Sequence, residues 1–264
     1  MLTTRFVTGA PCWIDVGGPD PDAATGFYGA LFGWRYRPAA PDTGGYGFFE
    51  LDGRTVAGGG RRAGPGQEPA AWTVYFRSED AEATAEAAER AHGTVLVRPA
   101  DVPGHGRLAV LADPAGVAFG IWQPGRTEGV DTTGEPGALS WVELRTPDIA
   151  AAAAFYRRAL GLETAGVPFP GGTYTCVGPE GGEDDAMFGG MVPLADVPAE
   201  AADGPYWLPY FDVADTDAVA ARARDLGGRV RMPPTAVAGV GRMAHLADPY
   251  GARFAVLTAE PPQS

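Results

Sequence analysis

Cysteine is scarce in this 264-residue chain, which has two, and histidine is nearly as scarce, with three. Two cysteines in a chain of this length, Cys12 and Cys176, do not make a disulfide framework. The sequence also has no Cys-x-x-Cys pair and no cluster of His with Cys, so it predicts no structural zinc site. We interpret the two residues as buried free thiols of a cytoplasmic protein.

Long apolar runs and positive charge are also lacking. No window approaches eighteen consecutive apolar residues, and no basic segment near the start precedes a long apolar stretch, so we expect neither a membrane span nor a signal peptide. Acidic residues outnumber basic ones by 33 to 20, which gives a net charge of −13. A nucleic-acid partner is therefore not expected, because such binders need a positive surface, and we attribute the acidity to solubility.

An internal repeat is the strongest feature that is present. At an offset of 128 residues the matches are Trp13 with Trp141, Pro19-Asp20 with Pro147-Asp148, Phe27-Tyr28 with Phe155-Tyr156, and Gly33 with Gly161. At an offset of 135 they are Trp72 with Trp207, Tyr75-Phe76 with Tyr210-Phe211, Gly106-Arg107 with Gly241-Arg242, and Leu111–Pro114 with Leu246–Pro249. Identities in a fixed order over this length predict a tandem duplication.

Each copy divides again into two similar modules. In the first, a short alternating strand pattern is followed by Asp20 as a helix N-cap, an apolar stripe and the helix-ending Gly33. A second strand, helix and strands begin at Trp72, so the chain has four βαβββ modules. We predict a first domain over residues 1–126, a Gly-, Pro- and acid-rich linker over 127–136, and a second domain over 137–264.

The module motifs resemble those of the vicinal oxygen chelate superfamily, which includes glyoxalases, bleomycin-resistance proteins and extradiol dioxygenases. One motif is the opening Pro-Asp, Phe-Tyr and Leu-Gly or Phe-Gly series, and the other is the closing turn, here Asp113–Gly116 and Asp248–Gly251. The subgroup that is most similar comprises two-domain actinobacterial glyoxalase-like proteins. The resemblance implies an α+β fold in which the four modules form two glyoxalase-like half-barrel domains.

In metal-dependent members of that superfamily, three positions of each domain hold the ligands. The resemblance places them at Trp13, Thr73 and Gly120 in the first half, and at Trp141, Leu208 and Ala255 in the second. None of these side chains binds a divalent ion well. We therefore expect no metal and no cofactor. Two alternatives stay open: an error of one residue in the register, which would turn every side chain to the other face, and a single ligand from Glu50.

Residues two positions beyond the implied ligands share their face of the strand. This alternation predicts Asp15, Glu143 and Tyr210 as catalytic candidates. Counting back from the closing aspartates adds His245 as the fourth and places Met243 on the same face, with Val110 and Leu108 at the matching positions of the first half. The predicted ligand-binding residues are Trp13, Trp72, Tyr75, Trp141, Trp207 and Met243. In the simpler interpretation the tryptophans fill space, the carboxylates are held by backbone amides or an arginine, and His245 is hydrogen-bonded to structure.

Two functions fit these aromatic, acid-containing faces. The first is a metal-free protein, a monomer or homodimer, that binds a small apolar or aromatic molecule such as a natural product or antibiotic. The alternative is a cofactor-independent tailoring enzyme, an isomerase, cyclase or hydratase that uses Glu143 and His245 for acid–base chemistry. A metal-dependent lyase or dioxygenase is the least favoured.

Overall fold

The structure, a computed structural model, describes residues 2–39, 45–61, 69–169, 172–182, 186–197 and 203–260. Over these residues the fold is α+β and consists of four βαβββ modules, as the sequence predicted. No helix in the described ranges is both long enough and apolar enough to cross a membrane. Both cysteines are free thiols, with Cys12 buried and Cys176 half-buried.

The first half of the chain contains two modules. The first consists of β1 (Pro11–Gly18), α1 (Pro21–Phe32), β2 (Arg35–Pro38), β3 (Gly47–Leu51) and β4 (Arg54–Arg61). The second consists of β5 (Ala71–Arg77), α2 (Ala81–Arg90), β6 (Thr94–Val102), β7 (Gly106–Ala112) and β8 (Ala118–Pro124).

The second half repeats this order. The third module consists of β9 (Leu139–Thr146), α3 (Ile149–Leu160), β10 (Leu162–Phe169), β11 (Gly172–Pro179) and β12 (Gly189–Pro193). The fourth consists of β13 (Tyr206–Asp212), α4 (Thr216–Asp225), β14 (Arg229–Val237), β15 (Gly241–Ala247) and β16 (Arg253–Ala259).

Local capping explains where the helices begin and end. Each of the α-helices α1 to α4 has an aspartate as its N-cap, whose carboxylate accepts the backbone N–H three residues on, as Asp20 does from Ala23. Gly33 and Gly161 end α1 and α3 in the left-handed region, with φ of 76° and 66°. The Pro-Asp and Leu-Gly or Phe-Gly motifs are therefore helix boundaries.

The strands form two mixed sheets of eight strands, one from each half of the sequence. Their orders are β2-β3-β4-β1-β5-β8-β7-β6 and β10-β11-β12-β9-β13-β16-β15-β14. The two orders are the same once the halves are aligned, so the duplication extends to topology. In both, β1 or β9 pairs in parallel with the last strand of its own module.

The chain divides into two compact packing units, and each unit combines segments from both halves of the sequence. Unit 1 comprises Met1–Trp13, Thr73–Gly129 and Trp141–Trp207, and unit 2 comprises Ile14–Trp72, Val130–Ser140 and Leu208–Ser264. Unit 1 thus combines most of the second and third modules, and unit 2 most of the first and fourth. The domain boundaries taken from the sequence stay a prediction.

The core of unit 2 contains a buried network that links its two modules. Tyr28 of α1 has no exposed surface, and its hydroxyl donates to Asp248 Oδ2 at 3.2 Å and accepts from Trp72 Nε1 at 3.0 Å. Asp248 Oδ1 accepts the backbone N–H groups of Tyr250 and Ala252. Burial raises the pKa of the Asp248 carboxyl above its ordinary value.

Unit 1 contains the same network built from the other two modules. Tyr156 of α3 donates to Asp113 Oδ2 at 3.3 Å and accepts from Trp207 Nε1 at 2.9 Å. Burial likewise raises the pKa of Asp113. In each unit, therefore, the Tyr of one module's opening motif is bonded to the Asp of another module's closing turn.

Candidate functional site

One face of each sheet packs against the helices, and the opposite face carries most of the residues predicted to line the sites. Phe254 of β16 lies on the packed face, where its ring contacts those of Phe27 and Tyr28. Its neighbour Ala255 therefore lies on the opposite face, since successive side chains alternate across a strand. We call the side of a sheet that faces away from the helices its open face, and we use Ala255 as the reference position for the open face of unit 2.

Tyr210, Ala255 and His245 form a row across three adjacent strands of unit 2. Tyr210 lies opposite Ala255 in the parallel β13–β16 pair, and His245 lies opposite Ala255 in the antiparallel β15–β16 pair. The Tyr210 hydroxyl is 3.2 Å from His245 Nε2, and both residues are buried, with 3% and 2% of their surface exposed. The tautomer of His245 decides which atom donates. Two catalytic candidates from the sequence are thus in direct contact.

The corresponding row in unit 1 is Tyr75, Gly120 and Val110. Gly120 lies opposite Tyr75 on β5 and opposite Val110 on β7. The Tyr75 ring covers Gly120 so closely that a Cβ on Gly120 would be 2.0 Å from Tyr75 Cδ1. Any side chain larger than hydrogen at position 120 would require the ring to move.

This packing bears on the metal site that the superfamily resemblance implies. A carboxylate at position 120 would collide with the Tyr75 ring, and the other implied positions of that half hold Trp13 and Thr73. Within the described residues, no group of three or more His, Cys, Asp and Glu side chains is arranged to hold a metal ion. The residues at the implied ligand positions therefore do not fit a divalent cation.

A hydrogen-bonded chain of four side chains lies on the open face of the third module, in unit 1. Trp141 Nε1 donates to the Tyr174 hydroxyl at 3.0 Å, and that hydroxyl donates to Glu143 Oε2 at 2.8 Å. Arg145 Nη2 lies 2.6 Å from Glu143 Oε1, and the side chains of this pair are 6% and 7% exposed. Glu143 is thus a buried carboxylate held by an arginine, which is one of the alternatives that the sequence left open.

An exposed apolar surface continues from this chain toward the edge of the sheet. The Phe169 and Tyr174 rings are 6.1 Å apart, and Val167 lies opposite Tyr174 in the β10–β11 pair. Phe169 and Val167 are 38% and 45% exposed, while Trp141 and Tyr174 are half-buried. We call Phe169, Tyr174 and Trp141 the aromatic row. It borders the buried Glu143–Arg145 pair.

The first module repeats the tyrosine–carboxylate contact in weaker form, in unit 2. The Tyr46 hydroxyl donates to Asp15 Oδ2 at 3.3 Å. Asp15 and Tyr46 align with Glu143 and Tyr174 at the offset of 128, but the position of Arg145 is occupied by Gly17. The ion pair is therefore specific to the second copy.

The remaining predicted residues are distributed between the two faces. Trp72 and Trp207 lie in the packed cores, where their indole N–H groups donate to core tyrosines, so their contacts are those of packing residues. Met243 is half-buried and shares the face of His245, and Trp13 is buried with 8% of its surface exposed. Glu50 forms an ion pair with Arg37.

Glu143 and His245 belong to different units, and their pairing stays a prediction. Sequence reasoning overlooked Tyr174 and Arg145, which contact Glu143, and Phe169, whose ring is 6.1 Å from that of Tyr174. One signal was available for Tyr174, since it aligns with Tyr46 at the offset of 128, which also relates Asp15 to Glu143. No repeat signal marks Arg145.

Comparison with known proteins gives a consistent result along the whole chain. A family model described as the Glyoxalase/Bleomycin resistance protein/Dioxygenase superfamily matches residues 12–121 and again residues 138–256. The chain is similar to the anthracycline biosynthesis proteins DnrV of Streptomyces peucetius, at 42% identity, and DauV of Streptomyces sp. (strain C5), at 41%. Each match covers 96% of this chain and 94% of the relative.

A solved structure supports the fold at much lower sequence identity. The Mn(II)-bound glyoxalase from Novosphingobium aromaticivorans is similar with a TM-score of 0.64 and 16% identity, over 97% of this chain and 83% of that one. That likeness concerns the fold alone. The two matches of the family model, which together cover most of the chain, show that the chain belongs to the glyoxalase/bleomycin resistance protein/dioxygenase superfamily.

Proposed function

We propose that the chain binds a small, planar aromatic molecule of the kind made in aromatic natural-product biosynthesis, and that it does so without a metal ion. The observation that carries the proposal is the aromatic row Phe169, Tyr174 and Trp141 beside the buried Glu143–Arg145 pair. Half-exposed aromatic side chains with a few fixed polar groups are what a flat aromatic ligand needs for stacking and orientation.

Two further observations support this assignment. The relatives at 41% and 42% identity are named as anthracycline biosynthesis proteins, and anthracyclines contain a planar, fused-ring aromatic system. The Tyr75 ring fills the space over Gly120, which favours binding by contacts with side chains over coordination to a metal.

Binding is tested by titrating the protein with 1,4-dihydroxyanthraquinone and following the quenching of tryptophan fluorescence. We expect Tyr174→Ala to weaken binding about tenfold, because the substitution removes both a stacking surface and the hydroxyl that links Trp141 to Glu143. The matched control is Tyr46→Ala, which makes the same change at the aligned position of the first copy and is expected to leave the affinity within a factor of about three.

Equal losses in the two variants would show that the aromatic row is not the binding surface. Affinity that disappears after dialysis against a chelator, and returns with added Mn²⁺ or Zn²⁺, would contradict the metal-free part of the proposal.

A second candidate function, acid–base catalysis without a cofactor, is favoured by the contact between Tyr210 and His245. A buried hydroxyl 3.2 Å from an imidazole nitrogen can pass a proton to or from a bound substrate, as an isomerase, cyclase or hydratase requires. The Glu143 carboxylate, fixed by Arg145, suits a positioning role better than proton transfer.

This activity is tested with anthrone, whose C10 hydrogens exchange through an enol. In D₂O we expect the protein to accelerate deuterium incorporation at C10, as followed by NMR, and His245→Ala to lower that acceleration about a hundredfold. Tyr210→Phe distinguishes the contribution of the Tyr210 hydroxyl from that of the His245 imidazole, because it keeps the ring and removes only the hydroxyl. Exchange at the uncatalysed rate with the wild-type protein would leave binding as the better description.

A further inference from the structure

Tyr174 reaches Glu143 across a strand that has a glycine at the crossing point. Gly190 of β12 lies opposite Glu143 of β9 and opposite Cys176 of β11, so the three positions share the open face of the third module. Tyr174 is two residues before Cys176 and lies on the same face. Its phenol end fills the space above the buried Gly190, where an added Cβ would be 2.0 Å from the hydroxyl oxygen and 2.3 Å from Cζ.

The Tyr174 side chain does not stand away from the sheet, as side chains of strands usually do. Its hydroxyl crosses β12, donates to Glu143 Oε2 at 2.8 Å and accepts from Trp141 Nε1 at 3.0 Å. The methyl group of an alanine at position 190 would overlap the phenol, because a separation of 2.0 Å is far shorter than van der Waals contact. The ring would then have to rise from the sheet and lose both hydrogen bonds.

The first module combines the same elements within unit 2. Tyr46 directly precedes β3 and donates to Asp15 of β1, and β4 is the strand between β3 and β1. Gly58 of β4 lies opposite Asp15, and an added Cβ on Gly60 would be 3.0 Å from Tyr46 Cδ2. In both modules, therefore, a tyrosine–carboxylate contact is accompanied by glycine on the strand that the tyrosine crosses.

We infer that Gly190 is a positioning residue for ligand binding. The absence of a side chain at this position lets Tyr174 lie against the sheet, where its ring forms part of the aromatic row and a flat ligand can stack on it. With a larger residue at position 190, the ring would rise into the space that the ligand occupies. This inference rests on the proposed function and names the residue that prepares its binding surface.

The test is a double-variant cycle, measured by titration with 1,4-dihydroxyanthraquinone. Gly190→Ala should weaken binding about tenfold, as Tyr174→Ala does. The double variant should bind no more weakly than Tyr174→Ala alone, because no ring is left to displace. The control is Gly172→Ala, which adds the same methyl group on the same face of β11, where a Cβ meets no atom within 4 Å. It should leave the affinity within a factor of about two.

A second measurement uses only the wild-type protein and so does not depend on the folding of any variant. We expect a nuclear Overhauser effect between the ring protons of Tyr174 and Hα of Gly190. Addition of the anthraquinone should shift the ring signals and retain that effect, because the ring is already in place.

Absence of the effect, or its loss when the anthraquinone binds, would overturn the inference. Unchanged affinity in Gly190→Ala would overturn it as well, and so would a further tenfold loss in the double variant, since Gly190 would then act independently of Tyr174. In each of these cases binding by the wild-type protein leaves the proposed function standing. Failure of the wild-type protein to bind the anthraquinone would count against the proposed function itself.

Discussion

Replacing Asp113 by alanine is expected to lower the free energy of unfolding by about 4 kcal/mol. The carboxylate accepts the backbone N–H groups of Ala115 and Val117, both at 2.9 Å, and the hydroxyl of Tyr156. Alanine leaves the buried N–H of Val117 and the buried hydroxyl of Tyr156 without an acceptor, and each buried unsatisfied group costs about 1–3 kcal/mol. Urea unfolding followed by circular dichroism measures the change.

Asp113→Asn is the informative companion variant. Its amide oxygen can still accept the backbone N–H groups, so we expect a loss of only about 1 kcal/mol at neutral pH. Because burial raises the pKa of the Asp113 carboxyl, the wild-type contribution to stability falls as the pH rises from the ordinary carboxyl pKa through the raised value. The asparagine variant should lack that part of the pH dependence. An exposed control, Asp101→Ala, should change stability by less than about 0.5 kcal/mol. A similarly small effect of Asp113→Ala would show that the turn is held by other contacts.

Replacing Arg145 by methionine is the second change with a large expected effect. The methionine keeps much of the volume but leaves the Glu143 carboxylate buried without its cation, which costs about 3–5 kcal/mol. The double variant with Glu143→Gln removes both charges and should recover more than half of that loss. Chemical unfolding of the two single variants and the double variant gives the coupling energy directly.

The comparison pair for this cycle is Arg37 and Glu50, an ion pair whose arginine side chain is 53% exposed. Arg37→Met should cost less than about 1 kcal/mol, because exposed ion pairs add little stability. If Arg145→Met were as harmless as Arg37→Met, Glu143 would have to be held mainly by Tyr174.

Local motifs made the fold predictable, because each one fixes the backbone conformation of a few neighbouring residues. Asp20 caps a helix and Gly33 ends one because of the conformations and hydrogen bonds of a few neighbouring residues. The internal repeat places the same motifs again in the second half of the chain. The pairing of Tyr28 with Asp248 could not be predicted in the same way. Nothing near either residue indicates which closing turn a core tyrosine will reach across 220 residues of sequence.

Strand alternation was sufficient to assign Tyr210 and His245 to one face, and the structure places their side chains in contact. It was insufficient for Glu143, because Arg145 and Tyr174, which contact it, come from two different strands. Arg145 follows it on the same strand, but Tyr174 reaches it from β11 across the intervening β12. The spacing of residues along one strand does not indicate a contact made by a long aromatic side chain that crosses a neighbouring strand.

The composition of the two packing units has a consequence for how the protein is made. Unit 2 contains Ile14–Trp72 and Leu208–Ser264, so the first module to leave the ribosome is completed by the last. At about 5–20 residues per second, the intervening segment takes on the order of 10 s to synthesise. During that interval the rings of Phe27, Tyr28 and Trp72 lack the contacts that the fourth module provides, which are those with Phe254 and Phe211. Unit 1, whose modules adjoin in sequence, can fold earlier, whereas unit 2 cannot complete its core until the fourth module has been synthesised.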